Sequence, residues 1–207
     1  MVKRFLSILG ISILAVCLFT FPFFLSGGHA QDDLVLVTLE TSKGDIVLEL
    51  NRTKAPITVA NFLQYMNEGF YKGTIFHRVE KNFVIQGGGF DKNMNPKPTR
   101  APIQNEAGNG LSNKAYTIAM ARTDNPDSAT SQFYINLKDN LFLDKSASSA
   151  GYAVFGKVVE GKDVVDAISN VTTTTIAGYP NVPVKPVLVN GDSGSDSDST
   201  CFIGTLR

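Results

Sequence analysis

Arg78 sits in the run FHRVEKNFVIQGGGF, residues 76–90, among apolar and aromatic neighbours, with Gln86 and the glycines Gly87, Gly88 and Gly89 close behind. Turning a cation toward an apolar surface costs free energy unless the charge has a task. A guanidinium keeps its charge at physiological pH and offers N–H donors in a fixed planar fork. It therefore suits holding a developing lone pair and does not suit moving protons. His77 is the adjacent candidate base, but strand alternation turns it to the opposite face from Arg78, which favours a structural role.

The rest of the chain narrows the chemistry. The two histidines are His29 and His77, and His29 falls in the leader described below. One remaining histidine supports neither a Ser-His-Asp triad nor a multi-histidine zinc site, which argues against a hydrolase. The glycine triplet lacks the Gly-Lys-Ser/Thr ending of a phosphate loop and reads as a bend with close backbone approach. Lys and Arg number 19, as do Asp and Glu. Loss of Lys3 and Arg4 with the leader leaves an excess of two acids, so no basic field recruits nucleic acid. Of Cys17 and Cys201 only the second survives cleavage, which excludes an internal disulfide.

The 76–90 block resembles the signature of the cyclophilins, the peptidyl-prolyl cis/trans isomerases whose motif opens with Phe-His-Arg and closes with Phe-x-x-Gln-Gly-Gly. The likeness continues in family order through YTIAMA (116–121), SQFY (131–134), NLFLD (140–144) and YAVFG (152–156), and covers most of residues 33–190. NEAGNG (105–110) and MART (120–123) look most like the periplasmic cyclophilins of Gram-negative bacteria.

That resemblance implies an enzyme that accelerates rotation about X-Pro bonds in exported proteins, needing neither cofactor nor metal. Arg78, Phe83 and Gln86 are the catalytic set it implies, with Arg78 donating to the prolyl nitrogen in the twisted state. It further implies a proline pocket walled by Phe83, Val84, Phe133, Tyr134 and Leu143. Gln86, Gln132 and the segment Ala121, Arg122, Thr123 would grip the substrate backbone, the segment as an added strand. Alternation by itself puts Val84 and Gln86 on one face and Phe83 and Ile85 on the other. Four positions depart from the common pattern: Arg122 for Asn, Val84 for Met, Tyr152 for His at the pocket edge, and Phe142 for Trp, which removes an indole donor. The partners implied are proline-containing polypeptides, including unfolded exported proteins, met by a monomer free of the membrane after leader cleavage. The rival reading is a non-catalytic proline-segment binding or chaperone module; the joint presence of Arg78, Phe83 and Gln86 favours the enzyme.

These side chains need a scaffold. Short apolar and β-branched runs at 34–40, 45–50, 74–79, 82–86, 116–121, 132–137, 153–159 and 187–189 alternate with turn residues, the pattern of a sandwich or barrel. Pro56 opens a helix that places Val59, Phe62, Leu63 and Met66 at helical spacing before Gly69 stops it, and Val164, Val165 and Ile168 mark a second over 162–169. The expected fold is mainly β: a closed eight-stranded antiparallel barrel capped by two α-helices. The polar connection 90–115 is long enough to carry function.

Both ends of the chain differ from this middle. Lys3 and Arg4 precede an apolar run at 5–25, and Gly28 and Ala30 are small residues where a signal peptidase reads. This predicts a signal peptide over 1–30, a mature chain starting at Gln31 and a periplasmic location. An uncleaved anchor is the alternative, since the run approaches spanning length; Pro22 and the small-residue exit favour cleavage. Residues 31–190 form the isomerase domain. GDSGSDSDST after Asn190 buries no apolar surface and predicts a disordered Gly/Ser/Asp-rich tail over 191–207.

Overall fold

A computed structural model describes residues 33–189 and 204–205. The expected signal peptide and all but two residues of the expected tail lie outside the described residues.

β1 (Leu34–Thr41) and β2 (Gly44–Asn51) form an antiparallel hairpin in register from Leu34 opposite Asn51 to Thr41 opposite Gly44. Alternation sends Val35, Val37, Leu39, Ile46, Leu48 and Leu50 inward, as a half-buried ladder requires. α1 (Pro56–Asn67) follows, starting at a proline whose missing N–H would have had no helical partner. It buries Val59, Phe62, Leu63 and Met66 as the spacing predicts, and Tyr65 as well. The ring of Phe62 lies 5.2 Å from those of Tyr71 and Phe155 and 5.6 Å from that of Phe133.

Ala55 offers α1 no side-chain cap. The long connection supplies one: Glu106 accepts the Ile57 N–H on Oε1 at 3.1 Å, and on Oε2 the Thr58 N–H at 2.8 Å and the Thr58 hydroxyl at 2.7 Å. A carboxylate at this end satisfies orphan donors and complements the helix dipole. Glu106→Ala is expected to cost about 1–2 kcal/mol of stability. A thermal melt checks this; an unchanged Tm would show that the loop and the helix start are held by other contacts.

Beyond α1 come β3 (Thr74–Glu80), β4 (Val84–Asp91), β5 (Thr117–Met120), β6 (Phe133–Asn136), a 3-10 turn at Leu141–Leu143, β7 (Val154–Glu160) and α2 (Lys162–Ser169). A hairpin of β8 (Thr173–Ile176) and β9 (Tyr179–Pro183) was not expected, and β10 is the pair Gly204–Thr205. The main sheet runs β10-β1-β2-β7-β5-β6-β4-β3, with every neighbouring pair antiparallel. Val165 and Ile168 of α2 enter the same core as Phe62 and Leu63 of α1.

The expected mainly β fold with two helices is found, with eight of the strands in one strongly curled sheet. Residues 187–189 form single bridges and no strand: Leu188 pairs with Ile75 on β3, and Val189 with Thr41 at the end of β1. These isolated bridges tie the 188–189 segment to β3 on one side and to the end of β1 on the other. The count of eight is reached instead by β10, which pairs with Val35 and Leu36 of β1. Two residues of the expected tail thus find partners at an edge whose backbone groups would otherwise be open.

Candidate active site

The register of the sheet assembles the site. Arg78 on β3 lies opposite Gln86 on β4; Gln86 lies opposite Tyr134 on β6; Tyr134 lies opposite Ala119 on β5; Ala119 lies opposite Val154 on β7. Directly paired residues share a face, so these five form one row across the sheet. The row one step along, Val79, Ile85, Ile135 and Ile118, points into the main core.

On the site face Val84, Ala119, Tyr134 and Val154 form a small buried apolar cluster of their own, against which Phe83, Leu111, Ala121, Leu143 and Tyr152 pack. The structure therefore brings together Phe83, Val84, Ala121, Tyr134, Leu143 and Tyr152 from the expected set. Phe83 joins Val84 despite opposite alternation because it precedes the strand, in the turn that follows Asn82 at φ 61°.

Phe133, expected as a pocket wall, is fully buried in the main core, edge-on to Phe62, Tyr71 and Phe76. Adjacent residues on β6 face opposite ways, and it is Tyr134 that faces the site. Phe142 stands on the rim at 70% exposure, stacked on Phe83 with ring centroids 5.9 Å apart and planes at 14°.

The guanidinium of Arg78 sits 5.5 Å from the Phe83 ring centroid. Its Nη1 donates to Gln86 Oε1 at 3.4 Å and its Nη2 to Glu80 Oε2 at 2.6 Å. Gln86 in turn donates from Nε2 to Gln132 Oε1 at 2.9 Å, so Arg78, Gln86 and Gln132 form a chain along the cluster's edge. The glycines make room for it. Gly88 adopts φ 82°, and a Cβ on Gly89 would come within 2.6 Å of the Gln132 side chain. The close approach expected of this triplet is present, inside β4.

At the far side Ala121 N–H donates to Gln132 C=O at 3.0 Å. Arg122 is turned back onto its own chain: Nε donates to Gly151 C=O at 3.0 Å, Nη1 to Thr123 C=O at 2.7 Å, and Cζ lies 4.4 Å from the Tyr152 ring centroid. Thr123 is exposed, its N–H and hydroxyl both on Ser128 Oγ.

A buried polar network that the motifs did not reveal supports the pocket floor. Asn113 Oδ1 accepts the Tyr134 hydroxyl at 2.7 Å and Asn136 Nδ2 at 3.2 Å, while Asn113 N and Nδ2 donate to Asp144 Oδ1 at 2.7 and 2.8 Å. Asn140 Nδ2 donates to Phe83 C=O at 3.0 Å and Asn136 Oδ1 at 2.9 Å. The network locks together Tyr134, Phe83 and the turn that carries Phe142 and Leu143. Burial raises the Tyr134 pKa, so its hydroxyl stays protonated and is a fixed donor.

His77 is buried, its ring 4.7 Å from that of Phe90, and its Nδ1 has no partner. Desolvation brings its pKa down to about 4, and the neighbouring charge of Arg78 pushes the same way. It is neutral at neutral pH. In the unfolded chain the same group takes up its proton near pH 6.5, so between 6.5 and about 4 the unfolded state binds the extra proton and stability falls as pH falls. The full loss is on the order of 3 kcal/mol. His77→Phe is expected to flatten that part of the stability–pH curve while leaving turnover intact. An unchanged acid slope in chemical denaturation would assign the effect to carboxylates.

Comparison with known proteins agrees with this geometry. Residues 36–190 match the family described as cyclophilin type peptidyl-prolyl cis-trans isomerase/CLD. The chain is 58% identical over 154 residues to the peptidyl-prolyl cis-trans isomerase of Acinetobacter baylyi, covering 74% of this chain and 82% of that protein. It is 51% identical over 164 residues to peptidyl-prolyl cis-trans isomerase B of Escherichia coli, covering 78% and 100%. Among solved structures, a cyclophilin type isomerase from Cryptosporidium parvum superposes with a TM-score of 0.65 at 23% identity, covering 84% of this chain and 99% of that one, a likeness of fold. The chain belongs to the cyclophilin family. It is a cyclophilin-type peptidyl-prolyl cis-trans isomerase, acting on proline-containing peptides and proteins.

Proposed function

We propose that this isomerase serves exported proteins in the periplasm and that Arg78 is its transition-state donor. The observation that carries the mechanism is the guanidinium of Arg78 at the edge of the Val84, Ala119, Tyr134 and Val154 cluster, with Phe83 beside it. An X-Pro bond resists rotation by roughly 18–20 kcal/mol because the nitrogen lone pair is delocalised into the carbonyl. Twisting localises that lone pair and makes the nitrogen an acceptor. A proline ring seated in the apolar cluster would bring this nitrogen to Arg78, whose free N–H groups bond it only in transit; such differential binding lowers the barrier. Gln86 and Gln132 offer amide groups to the substrate backbone, and the segment Ala121, Arg122, Thr123 an edge for it to pair with. No proton is transferred, which fits a site whose nearest histidine is buried on another face.

Phe83, Val84, Leu143, Tyr134, Phe142 and Tyr152 make the walls of the proline pocket in this reading. The bridges at 187–189 complete the barrel without a full ladder. The signal peptide over 1–30 supplies the route to the periplasm, and the tail over 191–207 is dispensable to catalysis. Turnover of a short Ala-Pro peptide by wild type and Arg78→Ala tests the mechanism. N-terminal sequencing of the exported protein tests the location: Gln31 at the terminus supports it, and intact Met1 in the membrane fraction overturns it in favour of an anchor.

A further inference from the structure

Glu80 lies two residues beyond Arg78 on β3, so strand alternation projects both side chains to the same face. Its Oε2 accepts from Arg78 Nη2 at 2.6 Å, the shorter of the two hydrogen bonds that hold the guanidinium; the Gln86 contact is 3.4 Å. Glu80 also touches the site through its backbone, where its C=O accepts the Phe83 N–H at 3.0 Å and closes the turn that presents the Phe83 ring. The rest of the row, Gln86, Tyr134, Ala119 and Val154, carries no charge at neutral pH, so the carboxylate is the sole anion paired with Arg78 among the described residues.

Resting on the role given to Arg78 above, we propose that Glu80 is a positioning residue for catalysis: it fixes the Arg78 fork before substrate arrives. Two effects oppose each other here. A free arginine side chain samples many rotamers, and fixing it during the reaction adds to the barrier; a partner that fixes it beforehand removes that cost. Against this, the carboxylate offsets part of the positive charge. Orientation wins on two grounds. The twisted amide presents a lone pair on a formally neutral nitrogen, so it needs a correctly aimed N–H more than a full charge. The pair is also partly exposed, with side chains 37% and 40% accessible, so solvent screens much of the Coulomb term while the hydrogen-bond direction persists. Held from Nη2 and Nη1, Arg78 keeps its Nε–H and the second hydrogens of both terminal nitrogens for substrate.

The test uses the full chain, an Ala-Pro peptide and NMR of the Arg78 Nε–Hε group. Glu80→Ala, at a half-buried position at the end of β3, is expected to keep the fold and to lower kcat about tenfold with KM little changed, as loss of a preorganising contact does. Glu80→Gln, which keeps a neutral acceptor, should lose less. The Nε–Hε order parameter of Arg78 should fall in Glu80→Ala, and adding Glu80→Ala to Arg78→Ala should change nothing further. Turnover equal to or above wild type in Glu80→Ala overturns the inference, as does a loss with Arg78 still ordered or an equal loss in the Arg78→Ala background. Undiminished turnover in Arg78→Ala alone would overturn the role of Arg78 itself; an ordered-to-mobile change at Arg78 in Glu80→Ala would still stand as evidence of positioning.

Discussion

Arg78→Ala is expected to lose roughly 100-fold or more in kcat while the circular-dichroism spectrum stays that of wild type, because the proposed donor role acts where lone-pair density develops. The fold should survive. The Arg78 side chain is 37% exposed, its ion pair with Glu80 lies near the surface, and such pairs contribute about 1 kcal/mol or less. Arg78→Lys should also be poor, since an ammonium keeps the charge but cannot hold Gln86 and Glu80 from two nitrogens of one plane while aiming a third donor. Steady-state turnover of an Ala-Pro peptide by the three proteins measures this. A lysine variant as active as wild type would show that charge alone suffices, and an active alanine variant would remove Arg78 from the mechanism.

The second large effect belongs to a residue that touches no substrate. Asn113→Leu deletes the acceptor of the Tyr134 hydroxyl and of one Asn136 hydrogen bond, where Asn113, Tyr134 and Asn136 are all buried from solvent, and one of the two donors to Asp144. Leaving buried partners unpaired costs about 1–3 kcal/mol each, and a coupled network exceeds one isolated bond, so a loss of roughly 3–5 kcal/mol is expected. Urea unfolding measures it. Because Tyr134 and Phe83 hang from the same network, KM for the peptide should rise in step with the lost stability. A variant that melts like wild type would show that the asparagine is peripheral and that Tyr134 is held by packing alone.

The legible parts of this fold share a physical cause: one covered face. β1 and β2 alternate because one side meets the core and the other meets water, and α1 shows its helical spacing for the same reason. β6 is different. All four of its residues are buried, so periodicity could not say which of Phe133 and Tyr134 faces the site, and only its register against β4 and β5 decides.

The hairpin of β8 and β9 escaped for the opposite reason. Thr173–Ile176 is largely exposed, with no apolar face to read, and its cue was the two-residue turn Ala177–Gly178, both at positive φ. The polar floor was invisible because Asn113 reaches partners 21 to 31 residues away through a loop of no periodicity. Glu80 stands at i+2 from Arg78, but an acid at the end of a strand is most often merely solvated, so its pairing carries no signal in the sequence. The residues proposed as catalytic are legible through the resemblance of five ordered blocks, and composition would not find them.

The row from Arg78 to Val154 draws one residue from each of five hydrogen-bonded strands, and this gives the catalyst a mechanical character. Moving one of these groups disturbs the ladder that holds its neighbours, so the site is tied to the main sheet as a unit. Such a surface is stiff, and the adjustment needed for a productive encounter falls on the polypeptide that meets it. An unfolded chain is well placed to make that adjustment, since only a few residues around each proline must conform, whatever the sequence beyond them.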